Sequence, residues 1–141
     1  MAVNGTMKGR IEEYRLTDNE LIATFDFVSS RVGRLDYEDM QVYGDMTSPR
    51  QIGMGFNLVD KDQPSGTFEF PKDGGQVKRI WYSNTLGGHV YPARQGVVVL
   101  QNHAPAEVRI NGKLTFTTDQ FDGRYFKVDV TYAIDGMGEM T

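Results

Sequence analysis

The strictest alternation of apolar and polar positions runs from Ala106 to Ile134. Val108, Ile110, Gly112, Leu114, Phe116 and Thr118 fall on one side, and Glu107, Arg109, Asn111, Lys113, Thr115 and Thr117 on the other. After Asp119–Gly123 the pattern restarts, with Phe126, Val128, Val130, Tyr132 and Ile134 on one face and Tyr125, Lys127, Asp129 and Thr131 on the other. Successive side chains of a strand point to opposite sheet faces, so a period of two over this length predicts two half-buried strands. Asp122-Gly123 tolerates the positive φ that a tight loop needs. The stretch reads as one long antiparallel hairpin whose apolar face supplies much of the core.

Met7–Leu16 and Glu20–Val28 predict a second hairpin, turned at Thr17-Asp18-Asn19. Apolar residues on both faces of Glu20–Val28 place that strand centrally in its sheet. Within Ser29–Tyr43 the pairs Leu35/Tyr37 and Met40/Val42 are out of phase. A bulge at Glu38-Asp39 flips the facing and is favoured over a helical turn across Asp36–Met40. Ile52, Met54, Phe56 and Leu58 alternate with Gln51, Gly53, Gly55 and Asn57. Glycine on the outer face of a strand weakens it unless something approaches closely, and a neighbouring strand is the plain reading. Shorter strands are expected at Gly66–Phe70, Gln76–Ser83, His89–Tyr91 and Gly96–Gln101, with Pro92 confining His89–Tyr91 to an edge or a strand end. Asp135–Thr141 reads as a frayed tail.

About nine or ten strands with almost no helix predict an all-β fold. Strand count and turn spacing fit a single antiparallel β-sandwich, jelly-roll-like, over residues 1–141, with a closed β-barrel as the alternative. Composition agrees: 141 residues suit one domain, and 16 Gly beside 15 Phe plus Tyr suit short strands and tight turns. There is no Cys, so neither a disulfide framework nor thiolate chemistry is available. Net charge is −4 with no basic stripe, which argues against a phosphate-tracking nucleic-acid binder. The longest apolar run is Val97–Leu100, far short of the ~20 residues of a membrane span. No apolar leader follows Met1, so the expected compartment is cytoplasmic, or exported with the signal removed.

Candidate chemistry is sparse. His89 and His103 are the two imidazoles and lie fourteen apart, without the clustered spacing of a metal site. Asp60-Lys61-Asp62 opens like a calcium loop, but Pro64 and Ser65 stand where an acid or amide and a Gly are needed. A solvated turn is the reading, with Asp60 and Asp62 the weak alternative for a metal, and no cofactor is implied. Gly74-Gly75 and Gly87-Gly88 precede extended segments and not helices, so they read as loop glycines rather than phosphate cradles. No Ser lies in G-x-S-x-G, and nothing singles out a carboxylate pair.

The most suggestive composition is RIWYSNTLGGHVYPAR, Arg79 to Arg94. It holds the sole Trp. The plainer expectation puts Trp81 in the core with Tyr82 capping an edge. The functional alternative gathers Trp81, Tyr82, Asn84, His89, Tyr91 and Arg94 around a ligand, rings packing on apolar patches while polar groups fix orientation. The function expected is a non-enzymatic binding module for a carbohydrate or other polar small ligand. A protein-interaction or structural role, with its own copy as one partner, is the alternative, and a hydrolytic enzyme comes third.

Overall fold

The computed structural model describes residues 3–72, 75–84 and 89–139. Eleven strands form among them: β1 (Asn4–Arg15), β2 (Glu20–Val28), β3 (Arg31–Asp36), β4 (Met40–Met46), β5 (Ile52–Leu58), β6 (Gly66–Phe70), β7 (Val77–Asn84), β8 (His89–Asn102), β9 (Arg109–Thr118), β10 (Arg124–Asp135) and β11 (Gly138–Glu139). The described residues hold no helix, and so none long and apolar enough to cross a membrane. The protein is all-β, as the alternation indicates.

The strands join into one antiparallel sheet in the order β11-β3-β4-β5-β7-β8-β9-β10-β1-β2, with β6 paired to β8 off this path. From β3 to β10, β6 aside, hydrogen-bonded neighbours follow one another in sequence, and β10 then pairs with β1. Strand β8 is the corner. Its His89–Pro92 part pairs with β7, its Gly96–Leu100 part pairs with β6 along the same edge, and Ala93–Asn102 pairs with β9 on the other. The β7 ladder ends at Pro92, which has no N–H to continue it.

Curling brings the two halves face to face over one core. Phe56 of β5 meets Tyr132 of β10 with ring centroids 5.4 Å apart, and Tyr82 of β7 meets Phe126 of β10 at 4.7 Å. Met7, Ile11, Phe27, Met54, Leu114 and Val130 fill the space between. The curl is an open half-barrel, and the closed barrel is not formed: β2 and β11 end the sheet, and among the described residues no ladder joins β2 to β3. Ser29 and Ser30 span the seam instead. The Ser29 N–H donates to the Met7 carbonyl at 2.9 Å, the Met7 N–H to Ser29 Oγ at 2.9 Å, and the Ser30 N–H to the Asp45 carbonyl at 2.7 Å.

Several local expectations change. Strand β2 lies at the sheet's end, not its centre; its apolar residues on both faces leave Leu21, Ile22 and Val28 exposed. The phase break after Leu35 is a chain reversal rather than a bulge: Asp36 pairs with Met40 across a turn at Tyr37–Asp39, making β3 and β4 a hairpin. His89–Tyr91 and Gly96–Gln101 belong to one strand. Ala106–Val108 belongs to the loop before β9, where the Glu107 N–H donates to the His103 carbonyl. Past Asp135 the chain forms β11, Gly138 pairing with Arg34 and Glu139 with Gly33, where a frayed tail was expected. Asn19, Asp122 and Gly123 take positive φ at the two turns assigned to them.

Candidate functional site

Register across the outer face of β3, β4, β5, β7 and β8 sets three rows of side chains. Leu35, Gln41, Asn57 and Arg79 form the first; Gly33, Tyr43, Gly55, Trp81 and Pro92 the second; Arg31, Asp45, Gly53, Ser83 and Val90 the third. In the middle row small residues alternate with rings. A Cβ on Gly33 would collide with the Tyr43 ring, and one on Gly53 would meet Trp81 Cζ3 at 3.4 Å and Asp45 Oδ1 at 2.8 Å. The outer-face glycines of β5 thus differ: Gly53 lies under the Trp81 and Asp45 side chains, whereas a Cβ on Gly55 would meet the backbone of β4 at the Val42 carbonyl, as the neighbouring-strand reading expects.

Trp81 is half-buried on this face and not in the core. It lines a pocket of about 310 Å³ with Gln41, Val42, Tyr43, Asn57, Arg79, Ser83 and Val90. The Arg79 guanidinium carbon stands 5.7 Å from the Trp81 ring centroid, a cation–π contact. One end of the pocket is fixed by Asp39 from the β3–β4 turn. Gln41 Nε2 donates to Asp39 Oδ1 at 3.0 Å and Asn57 Nδ2 to Asp39 Oδ2 at 2.9 Å, with Lys78 Nζ 3.5 Å from the same oxygen. These amide bonds, Gln41's first, hold the Asp39 carboxyl below its ordinary range although its burial opposes this. On the opposite side Arg31 Nη2 and Asp45 Oδ2 pair at 2.9 Å.

The six residues singled out from the sequence divide between two faces. Tyr82, opposite Tyr91, and Asn84, opposite His89, lie one step out of phase with Trp81. Tyr82 is fully buried, and its hydroxyl has no hydrogen-bond partner; burial first, then the Glu13 carboxylate, pushes its pKa up. Tyr91 packs against Phe126 at 5.1 Å, and His89 stacks on Phe121 at 3.6 Å between centroids. This inner cluster closes one end of the half-barrel, beside the Glu13–Arg124 ion pair at 2.7 Å. Arg94 is exposed at the irregularity between Ala93 and Gln95, outside the Trp81 pocket. The paired glycines Gly87 and Gly88, and Gly74, lie outside the described residues.

Elsewhere the candidate groups are locally satisfied. Asp60 Oδ1 accepts the Asp62 N–H at 2.8 Å, an Asx turn. No group of three or more His, Cys, Asp or Glu able to hold a metal is found among the described residues. His103 Nε2 and Asn111 Oδ1 are 2.6 Å apart; because Asn111 Nδ2 donates to Gln101 Oε1, Oδ1 must accept and His103 carries its proton on Nε2. A wider groove of about 760 Å³ crosses the outer face of β1, β10, β9 and β8. There Glu12 stands opposite Lys127 and Arg10 opposite Asp129, so its charges answer one another across strands.

The residues missed by sequence reasoning are Gln41, Tyr43 and Asn57 from β4 and β5, and Asp39 behind them. Their one signal in the sequence is Gly53, which marks where the Trp81 ring and the Asp45 side chain lie close over the strand. No protein-family model, no curated protein and no solved structure matches the chain.

Proposed function

We propose that this protein is a non-enzymatic binding module for a carbohydrate or similar polar small ligand, with the Trp81 pocket as its site. The observation that carries this reading is the partly exposed Trp81 ring set among two amides, two hydroxyls and a guanidinium on a sheet face. Saccharides present an apolar ring face edged by hydroxyls, and an aromatic ring flanked by hydrogen-bonding groups complements both. A glycan array followed by calorimetry tests it. Trp81→Ala is expected to weaken the best ligand at least about tenfold, the equivalent of losing one good contact. A ligand held equally well by Trp81→Ala would overturn this placement of the site. We further read the facing halves as a sandwich-like architecture, a reading supported by the Phe56–Tyr132 and Tyr82–Phe126 contacts across the core.

A second reading, a protein partner that includes a second copy, is favoured by β2. It ends the sheet, and Leu21, Ile22 and Val28 are 44, 39 and 58% exposed. An open edge with apolar side chains accepts another strand. Light scattering tests it: concentration-dependent association abolished by Ile22→Lys supports this reading, and a monomer at all concentrations rejects self-pairing.

A further inference from the structure

A carboxylate has no proton to donate, and Asp39 uses that to dictate how two neighbouring amides point. Gln41 and Asn57 stand directly opposite each other on β4 and β5, as cross-strand neighbours. Both touch Asp39, at 3.0 and 2.9 Å. An amide can meet a carboxylate only with its NH₂ end, because its oxygen would face another acceptor. Each side chain is planar, so its carbonyl oxygen is turned away from Asp39. Both amides line the Trp81 pocket, and Asp39 does not. Asp39 itself is only 8% exposed at its side chain, and Lys78 Nζ at 3.5 Å answers its charge.

We infer that Asp39 is a positioning residue that locks the orientation of Gln41 and Asn57, so that the pocket offers their paired carbonyl oxygens to adjacent hydroxyl donors of a saccharide. This rests on the pocket being the ligand site proposed above. Two fixed oxygens accept from vicinal hydroxyls, and each amide keeps a second N–H, beyond the one Asp39 accepts, that can donate to a hydroxyl oxygen. Lys78 is engaged with Asp39, and Arg79 lies over the Trp81 ring at the pocket with its charge intact. A buried hydrogen-bonded anchor fixes the two amides more firmly than solvent could, which is how a supporting shell makes a site specific.

Two measurements test this, one needing no ligand. In ¹H–¹⁵N spectra of the unaltered protein, the side-chain amide signals of Gln41 and Asn57 should move together on acidification. Their shared midpoint should lie below the ordinary carboxylate range. The acidic group next in the chain is Glu38, and the basic one facing Asp39 is Lys78; Glu38→Gln should leave the midpoint in place. Amide signals that ignore this titration, or that move independently, would overturn the lock. The second measurement is calorimetry with cellohexaose, chitohexaose and mannohexaose. A neutral oligosaccharide should bind, Asp39→Asn should weaken it about tenfold, the effect of a misdirected hydrogen bond, and Asp39→Glu should recover part of the loss. If Trp81→Ala abolishes binding while Asp39→Asn leaves it unchanged, the pocket stands and the positioning role fails. If no probe binds, the carbohydrate reading itself fails, and the amide titration still decides whether the lock exists.

Discussion

Trp81 and Tyr82 are consecutive in sequence and lie on opposite sides of the sheet, which makes their substitutions diverge. Tyr82 is fully buried with an unpartnered hydroxyl. A buried hydroxyl without a partner costs about 1–3 kcal/mol, so Tyr82→Phe is expected to leave stability unchanged or raise it by about 1 kcal/mol. A loss above about 1 kcal/mol in urea unfolding would mean that the hydroxyl is satisfied. Trp81, partly exposed and the sole Trp, should be quenched by acrylamide and emit to the red of a core Trp. Trp81→Ala should cost less than the roughly 3–5 kcal/mol of emptying a core aromatic site. Blue-shifted, unquenchable emission would place the ring inside. The facing of these two residues was not legible in the sequence for a physical reason. Leu58 pairs with Val77 and Asn57 with Arg79, so Lys78 is an extra residue that breaks the phase of β7. Val77, Ile80 and Tyr82 all turn inward, a pattern no single alternation describes. Asp39, Gln41 and Asn57 come together only through the β3–β4 turn and the β4–β5 ladder, contacts that no local spacing announces.

At the scale of elements, the long strands were legible and the joints between them were not. Strands β9 and β10 show the expected inner face, with Ile110, Leu114, Phe116, Phe126, Val128, Val130, Tyr132 and Ile134 buried. Their alternation is unbroken because each keeps one face on the core and the other toward solvent along its length, with no register shift in the ladder between them. Where a strand changes partners, as β8 does near Pro92, the apparent break in pattern reflects a change of neighbours and not a strand end. Strand β2 was misplaced because apolar residues on both faces usually mean burial on both, whereas here they mark an open edge. The hairpin supports a direct test of facing. Phe116→Ala is expected to cost about 3–5 kcal/mol and Val130→Ala somewhat less, since both empty space in a packed core. Lys113→Ala removes only an exposed 3.5 Å contact with Asp129. Lys127→Ala removes an outer-face cation 5.0 Å from the Tyr14 ring centroid. Each should cost under about 1 kcal/mol in the same unfolding experiment. Equal sensitivity of the lysines and the apolar residues would mean that the facing is inverted.

For the molecule as a whole, β1 pairs with β10 over twelve residues, from Asn4 opposite Asp135 to Arg15 opposite Arg124, a ladder that joins the first strand to the tenth. The aromatic core it closes over holds two deeply buried tyrosines, one from each facing half. Tyr82 comes from β7 and Tyr132 from β10, whose hydroxyl donates to the Val99 carbonyl at 2.7 Å. Burial pushes both phenols well above their ordinary value, with Glu13 adding to the shift at Tyr82 and Arg34 opposing it at Tyr132. In the unfolded chain each ionises near pH ~10. Below that value both states hold these protons and the two groups leave stability unaffected by pH. Above it the unfolded chain releases protons that the native protein retains, so the unfolded state binds fewer and stability must fall as pH rises. The expected slope is up to about 1.4 kcal/mol per pH unit for each phenol. Urea midpoints measured from neutral pH upward should therefore be level with respect to these groups and then decline, with tyrosinate absorbance appearing at unfolding. Tyr82→Phe should make that decline shallower by one proton without losing stability at neutral pH. Tyr132→Phe should make it equally shallow but start from lower stability, because the Val99 carbonyl loses its donor. A decline that keeps its slope in both variants would show that neither phenol is shielded from solvent, and that the two halves do not close over a common core.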